Sequence, residues 1–249
     1  MNNIKLNHRL ITILKTLIRL PIEVSGQFQI DKTFEIDTIG MFLSRCTGTT
    51  FYPTGKLLFH THPYAKHKQP PSNGDFFGTI KNYIKYNKDP YEFIFTQEGI
   101  YVYALADEFK DSLTNNIIIP KQNDGINTID IDIRELDDMF GNWMNDLVHV
   151  YDLFVSNKID INEYIKVIES LGMILKFYTW NEPINKKIEI KSELSFDELT
   201  NNYHDILDWS TSGGNNVMDN RIDHIYNHVR NQNIADIHKG LLPEYLKDV

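Results

Sequence analysis

The stretch 59-FHTHPYAKHKQPPSNGDF-76 decides how this chain is read. It opens inside a short apolar run, "KLLFHTH", that reads as a buried strand. Side chains alternate faces along a strand, so His60 and His62 point one way and Thr61 the other. Two imidazoles one strand step apart on a common face can grip a single metal ion. Pro63 ends the strand and leaves His62 at its mouth. A catalytic zinc takes three protein ligands and keeps one position for water. Asp75 is the candidate third ligand, in the first turn of a helix expected from near Ser72 to about Tyr86. The twelve residues between His62 and Asp75 are enough to fold back. The same letters have a plainer reading. Ser72 with Asp75 is S-x-x-D ahead of an amphipathic helix, a capping-box pattern, and histidines are common in polar turns. On these residues alone both readings stand.

Upstream, Leu10, Ile11, Leu14, Leu17 and Ile18 fall on one stripe at helical spacing, which predicts an amphipathic helix over about 6–19, stopped by Pro21. "EVSGQFQI" and "KTFEIDTIGMFL" read as strands, and residues 47–55 as a Thr/Gly-rich loop. Downstream, "YEFIFT" and "GIYVYAL" are β-rich runs joined at Gln97-Glu98-Gly99, a hairpin signal. From about residue 110 the chain first reads as loop and then as mainly helical. Leu136, Met139, Phe140, Trp143, Met144, Leu147, Val150, Tyr151 and Phe154 make one long apolar stripe, read as core. Asp160 with Glu163 signals the start of a second helix whose buried face is Tyr164, Ile168, Leu171 and Leu175. Shorter helices are expected near 195–209 and 217–231.

A hydrolytic metal centre also needs a base for the water proton. Glu23 in "LPIEVSGQF" sits at the start of a strand between Ile22 and Val24, where an edge-strand charge facing water is the bland alternative. Pro-x-Glu-Val-x-Gly after a first helix, then His-Thr-His-Pro, then Ser-x-x-Asp opening a helix, resembles the JAMM (MPN-plus) metalloprotease family. "EFIFTQEGIYVYAL" also looks like the strand pair that follows that helix in the family. The resemblance covers about residues 5–107. It implies that His60, His62 and Asp75 bind one zinc ion, that Glu23 holds the water and shuttles its proton, and that Ser72 donates a hydrogen bond to the oxyanion. One departure is visible: nine residues separate His62 from Ser72, two more than the usual family spacing. The surplus lies in "YAKHKQPP", whose Lys66, His67 and Lys68 read as a solvated tip or as a contact for an acidic substrate.

Composition narrows the partners. The chain has 249 residues and 41% hydrophobic residues, enough for a sizeable core. Its net charge of -9 argues against a general nucleic-acid surface. A single cysteine, Cys46, excludes an internal disulfide and a Cys-based zinc site, and fits a reducing compartment. "LITILKTLIRLP" is interrupted by Lys15 and Arg19 and is too short to span a bilayer, so an intracellular protein with no membrane segment is expected, with a virion as the other setting. His224 and His228 share a helix face, but Ile225 stands where the H-E-x-x-H motif needs Glu, and a solvated face is the better reading. "SGG" at 212–214 lacks the Lys of a phosphate loop.

The expected fold is therefore α/β: a JAMM/MPN-like mixed, curved sheet flanked by helices over 1–110, followed by a mainly α-helical region over 111–249. The expected activity is zinc-dependent hydrolysis of amide bonds in a protein or peptide. The resemblance implies, as the candidate bond, an isopeptide bond to ubiquitin or a related modifier. The competing expectation is a non-catalytic scaffold or assembly component, such as part of a viral particle, that contacts a protein partner through its helical half.

Overall fold

The computed structural model describes residues 2–6, 8–19, 23–30, 35–43, 57–63, 65–86, 89–116, 133–182 and 188–190. They form a mixed α/β architecture. In chain order the elements are β1 (Asn2–Leu6), α1 (His8–Leu17), β2 (Val24–Ile30), β3 (Glu35–Leu43), β4 (Leu57–Thr61), α2 (Asn73–Tyr86), β5 (Tyr91–Phe95), β6 (Gly99–Leu105), α3 (Asp107–Asn116), α4 (Ile133–Val155), α5 (Ile161–Ser170), β7 (Met173–Thr179) and β8 (Ile188–Ile190). The chain divides into two compact units that do not follow chain order. The first draws its described residues from Met1–Lys66, Phe93–Ile100 and the segment from Tyr178 onward; the second draws them from His67–Glu92 and Tyr101–Phe177.

In the first unit β4, β2, β3, β1 and β8 form a five-stranded mixed sheet in that order. β1 runs parallel to β3, whereas β2 is antiparallel to both β3 and β4, and β8 is antiparallel to β1. The β2–β4 register pairs Ser25 with His60, Gly26 with Phe59 and Gln27 with Leu58. Because side chains alternate, Phe28 and Phe59 share one face and Ser25 and His60 the other. The first face is aromatic: Phe28 stacks on Phe59 at 4.8 Å and meets Phe93 edge-on at 5.2 Å. The stripe predicted for α1 is buried at Leu10, Ile11, Leu14, Leu17 and Ile18.

In the second unit α2 is held from two sides. Phe77 meets Phe140 of α4 with ring centroids 5.9 Å apart. Thr79 donates to Glu92 Oε1 at 3.0 Å, and Tyr103 donates to Glu92 Oε2 at 3.0 Å. Glu92 is 2% exposed, so these hydroxyls satisfy a carboxylate that would otherwise be costly to bury. α5 begins with the capping box read from the sequence: the Asp160 side chain accepts from the Glu163 amide, and the Glu163 side chain accepts from the Asp160 amide.

The structure departs from the sequence reading in four places. Residues 2–6 form β1, with Ile4 and Leu6 buried, where only a helix was expected to begin. The loop expected from about 110 is instead α3, a polar helix whose first turn carries Asp107 and Glu108, favourable against the helix dipole, and whose Leu113 is buried. The helix expected to run on through Leu175 stops at Ser170, and Leu175 lies on β7. Gly172 ends it, with a φ of +91° that only glycine adopts without strain. Met139, read as core, is 56% exposed. Cys46, His224, His228, the 212–214 segment and the helices expected near 195–209 and 217–231 lie outside the described residues. Among the described residues no helix is long and apolar enough to cross a membrane.

Gly172 sits where three elements of the second unit meet. Its carbonyl accepts from the Ala106 amide at 2.9 Å, the neighbouring Leu171 carbonyl accepts from Trp143 Nε1 at 2.8 Å, and Trp143 stacks on Phe109. A Cβ at position 172 would lie 2.5 Å from Phe109 Cγ, inside contact distance, and would also carry the positive φ. Gly172→Ala is therefore expected to destabilise the full chain by about 1–3 kcal/mol, read as a lower urea midpoint with an unchanged slope.

Candidate metal centre

His60 lies within the β2–β4 ladder and is 4% exposed. His62 follows the last strand residue, and its backbone N–H donates to the Phe95 carbonyl at 2.9 Å, so β5 holds the strand mouth. The two rings share a face, as their spacing predicts. His60 Nε2 and His62 Nε2 are 3.2 Å apart, with ring centroids 5.1 Å apart and ring planes tilted by 51°. Pro63 follows and is half-buried.

Asp75 is in the first turn of α2. Its Oδ2 accepts from the Ser72 backbone N–H at 2.6 Å and from Ser72 Oγ at 2.7 Å, while Ser72 Oγ accepts from the Asp75 N–H at 3.4 Å. This is the reciprocal capping box expected of S-x-x-D. The Ser72 hydroxyl proton is thus committed to Asp75 Oδ2 in this structure. The preceding loop has a solvated tip, as read from the sequence, and a packed base. Pro70 and Pro71 are buried, Lys66 and His67 are exposed, and Lys68 Nζ lies 4.3 Å from the centroid of the Phe154 ring. Tyr164, fully buried on α5, donates its hydroxyl to the Pro71 carbonyl at 3.0 Å. Burial, reinforced by Asp75 and Tyr151 nearby, holds the Tyr164 phenol well above its usual pKa.

His60, His62 and Asp75 form a group whose potential ligand atoms all lie within 4.8 Å of one another. Two observations bear on whether a metal fits there. Ligand nitrogens about 2.0–2.1 Å from a tetrahedral zinc stand about 3.3 Å from each other, and the two Nε2 atoms are 3.2 Å apart. The same separation also fits an N–H···N hydrogen bond between the rings, its donor set by the tautomer, so a proton or a cation lies between the two nitrogens. Second, Ser25 Oγ is buried and has no hydrogen-bond partner among the described residues, and Ser25 is the register partner of His60 on the same face. A hydroxyl buried without a partner costs about 1–3 kcal/mol, which a water or ligand beside His60 would offset. Two nitrogens and a carboxylate oxygen make a donor set suited to zinc and to other first-row metals, with a coordination position left over.

Glu23 is outside that group. It is half-buried and immediately precedes β2, whose first residue, Val24, donates its N–H to Thr61 Oγ1 at 2.9 Å. Glu23 has the parity of Ser25 and would fall on the histidine face if the ladder ran on past the Ser25–His60 pair, where the register ends. Neither Ser25 nor Tyr164 stood out in the sequence as a site residue. The first is an ordinary small residue in a strand. The second is a helix-face aromatic whose partner, the Pro71 carbonyl, lies 93 positions away. Comparison of the chain with family models, with curated proteins and with solved structures finds no match.

The centre makes a direct prediction. Full-length protein purified without added metal should carry close to one equivalent of a transition metal by plasma mass spectrometry. His60→Ala should carry none while keeping its far-ultraviolet circular dichroism. Well-folded parental protein that stays metal-free after dialysis against zinc would rule the centre out.

Proposed function

We propose that the chain is a zinc-dependent amide-bond hydrolase of JAMM type, acting on a protein or peptide and, by the resemblance of its motif, on an isopeptide bond to ubiquitin or a related modifier. The observation that carries this reading is the convergence of His60 Nε2 and His62 Nε2 at the spacing of two metal ligands, in a group completed by Asp75. The ordered occurrence of Glu23, His60-x-His62 and Ser72-x-x-Asp75 adds to it.

The metal would be held by Nε2 of both histidines and by the Asp75 carboxylate, and would supply a Lewis acid that acidifies water and polarises the scissile carbonyl. The remaining chemistry belongs to side chains of the chain. The Glu23 carboxylate takes a proton from the attacking water as its oxygen bonds to the carbonyl carbon. It then delivers that proton to the departing amine nitrogen as the C–N bond breaks, so the products are a carboxylic acid and an amine. Ser72 Oγ is the donor for the oxyanion, and reaching it requires the hydroxyl to turn from Asp75 Oδ2, to which it donates at 2.7 Å. The Ser72 amide would keep Asp75 in place meanwhile, through its own bond at 2.6 Å.

Glu23→Gln separates the base from the metal. The amide cannot accept the water proton, so hydrolysis of a ubiquitin-type isopeptide or peptide substrate should fall by about 10²–10⁴-fold with metal content and thermal midpoint unchanged. A variant that cuts at the parental rate removes Glu23 from the mechanism, whatever the metal analysis shows.

A further inference from the structure

The peptide plane between Pro71 and Ser72 is hydrogen-bonded at both of its ends. Its carbonyl accepts from the Tyr164 hydroxyl at 3.0 Å, and its N–H donates to Asp75 Oδ2 at 2.6 Å. The carbonyl end is shielded from bulk water, because Tyr164 and Pro71 are both buried, whereas Ser72 and Asp75 at the N–H end are half-buried. A peptide whose carbonyl is engaged is polarised into a better N–H donor, so the two bonds reinforce each other. The ring of Tyr164 is itself fixed, stacked on Phe154 with centroids 4.6 Å apart and planes 19° apart. Lys68 lies over that same Phe154 ring and ties down the start of the loop. The two prolines at 70 and 71 add stiffness, since their φ angles are locked and they bring no N–H of their own to satisfy.

We infer that Tyr164 is a positioning residue for Asp75: the α4–α5 helices orient the third candidate metal ligand through the single Pro71–Ser72 peptide plane. The inference rests on the metal-centre reading for its consequence, but not for its geometry. It also gives α4, α5 and the loop ahead of α2 a part in the candidate site. With Oδ2 held by Ser72, the Asp75 carboxylate is restricted in how it can turn. Groups bonded directly to a ligand, as the Ser72 amide is to Asp75, typically change metal affinity by about 10–100-fold when lost. Tyr164 acts one hydrogen bond further out, so the lower end of that range is the expectation.

Tyr164→Phe removes only the hydroxyl and keeps the ring stacked on Phe154. Two measurements on the full chain test it. The first is amide hydrogen exchange at Ser72 in metal-free protein, which is expected to be at least about 10-fold faster in the variant because the bond to Asp75 loosens. The second is cobalt(II) titration followed by visible absorption, with an expected loss of affinity of about 10-fold or more and a displaced d–d spectrum at an unchanged thermal midpoint. A purely structural role for the hydroxyl would lower the midpoint and leave affinity and spectrum alone, and that result overturns the inference. So does unchanged Ser72 exchange. If neither protein binds cobalt(II), the metal reading fails, and the link from Tyr164 to the Asp75 carboxylate is decided by the exchange measurement alone.

Discussion

The antiparallel ladder between β2 and β4 is the constraint on which the rest depends. Its register sets Gly26 opposite Phe59 and Ser25 opposite His60. Strand side chains alternate with period two, so that one choice sorts the chemistry. Phe28 and Phe59 go into the aromatic cluster, while Ser25, His60 and His62 go to the other face. A slip of one residue would drive the imidazoles into the aromatic cluster and expose Phe59. The pull of that cluster, with Phe28 against Phe59, Phe93 and Phe95, opposes any such slip. The hydrophobic core thereby specifies where the histidines point, and the polar site gains its geometry from apolar packing.

The second constraint acts on Asp75. The sequence offered two readings of Ser72 and Asp75, a helix cap or a ligand and its neighbour. The structure shows why they need not compete. The capping box occupies Oδ2, through the Ser72 amide and hydroxyl, and leaves the other oxygen of the carboxylate out of the box. A cap contributes about 0.5–2 kcal/mol to a helix. Here it also restricts the carboxylate to one orientation, which lowers the entropy lost when a ligand is taken up. Charge adds in the same direction, because a carboxylate at a helix N-terminus is favoured by the helix dipole.

Local patterns were legible in the sequence, and long-range ones were not. The HxH strand, the start of α2 at Asn73, the buried stripe of α1 and the Asp160–Glu163 box each depend on spacings of two to four residues, and each is present. The miss at Leu175 has a local cause as well: apolar residues at 171 and 175 continue the helical period, and only the turn at Gly172 breaks it. Glycine is a weak stop signal when read alone, and here its need arises from Phe109, which a Cβ would strike. Tyr164 looked like any core aromatic. Its hydroxyl acquires meaning from the Pro71 carbonyl, a partner that no sequence period connects to it. Glu92 is similar: an acid in an apolar strand is a warning of a buried polar network, but Thr79 and Tyr103 as its partners emerge only from the packing.

The helical half bears on the choice between an enzyme and an assembly module. An arm built to dock a partner would leave much of the apolar stripe between Leu136 and Phe154 uncovered. In the structure Leu136, Phe140, Leu147, Val150 and Phe154 are buried, and so are Tyr164 and Ile168 of α5. Phe140 reaches Phe77 of α2, and Tyr164 reaches Pro71 just ahead of it, so part of the cover comes from the segment that carries Asp75. Large apolar side chains left exposed among the described residues are Met139, Val148 and Val167, scattered singletons of a kind that ordinary monomers also show. Among the described residues that stripe is thus largely buried inside the second unit, and part of its cover is the segment that carries Ser72 and Asp75.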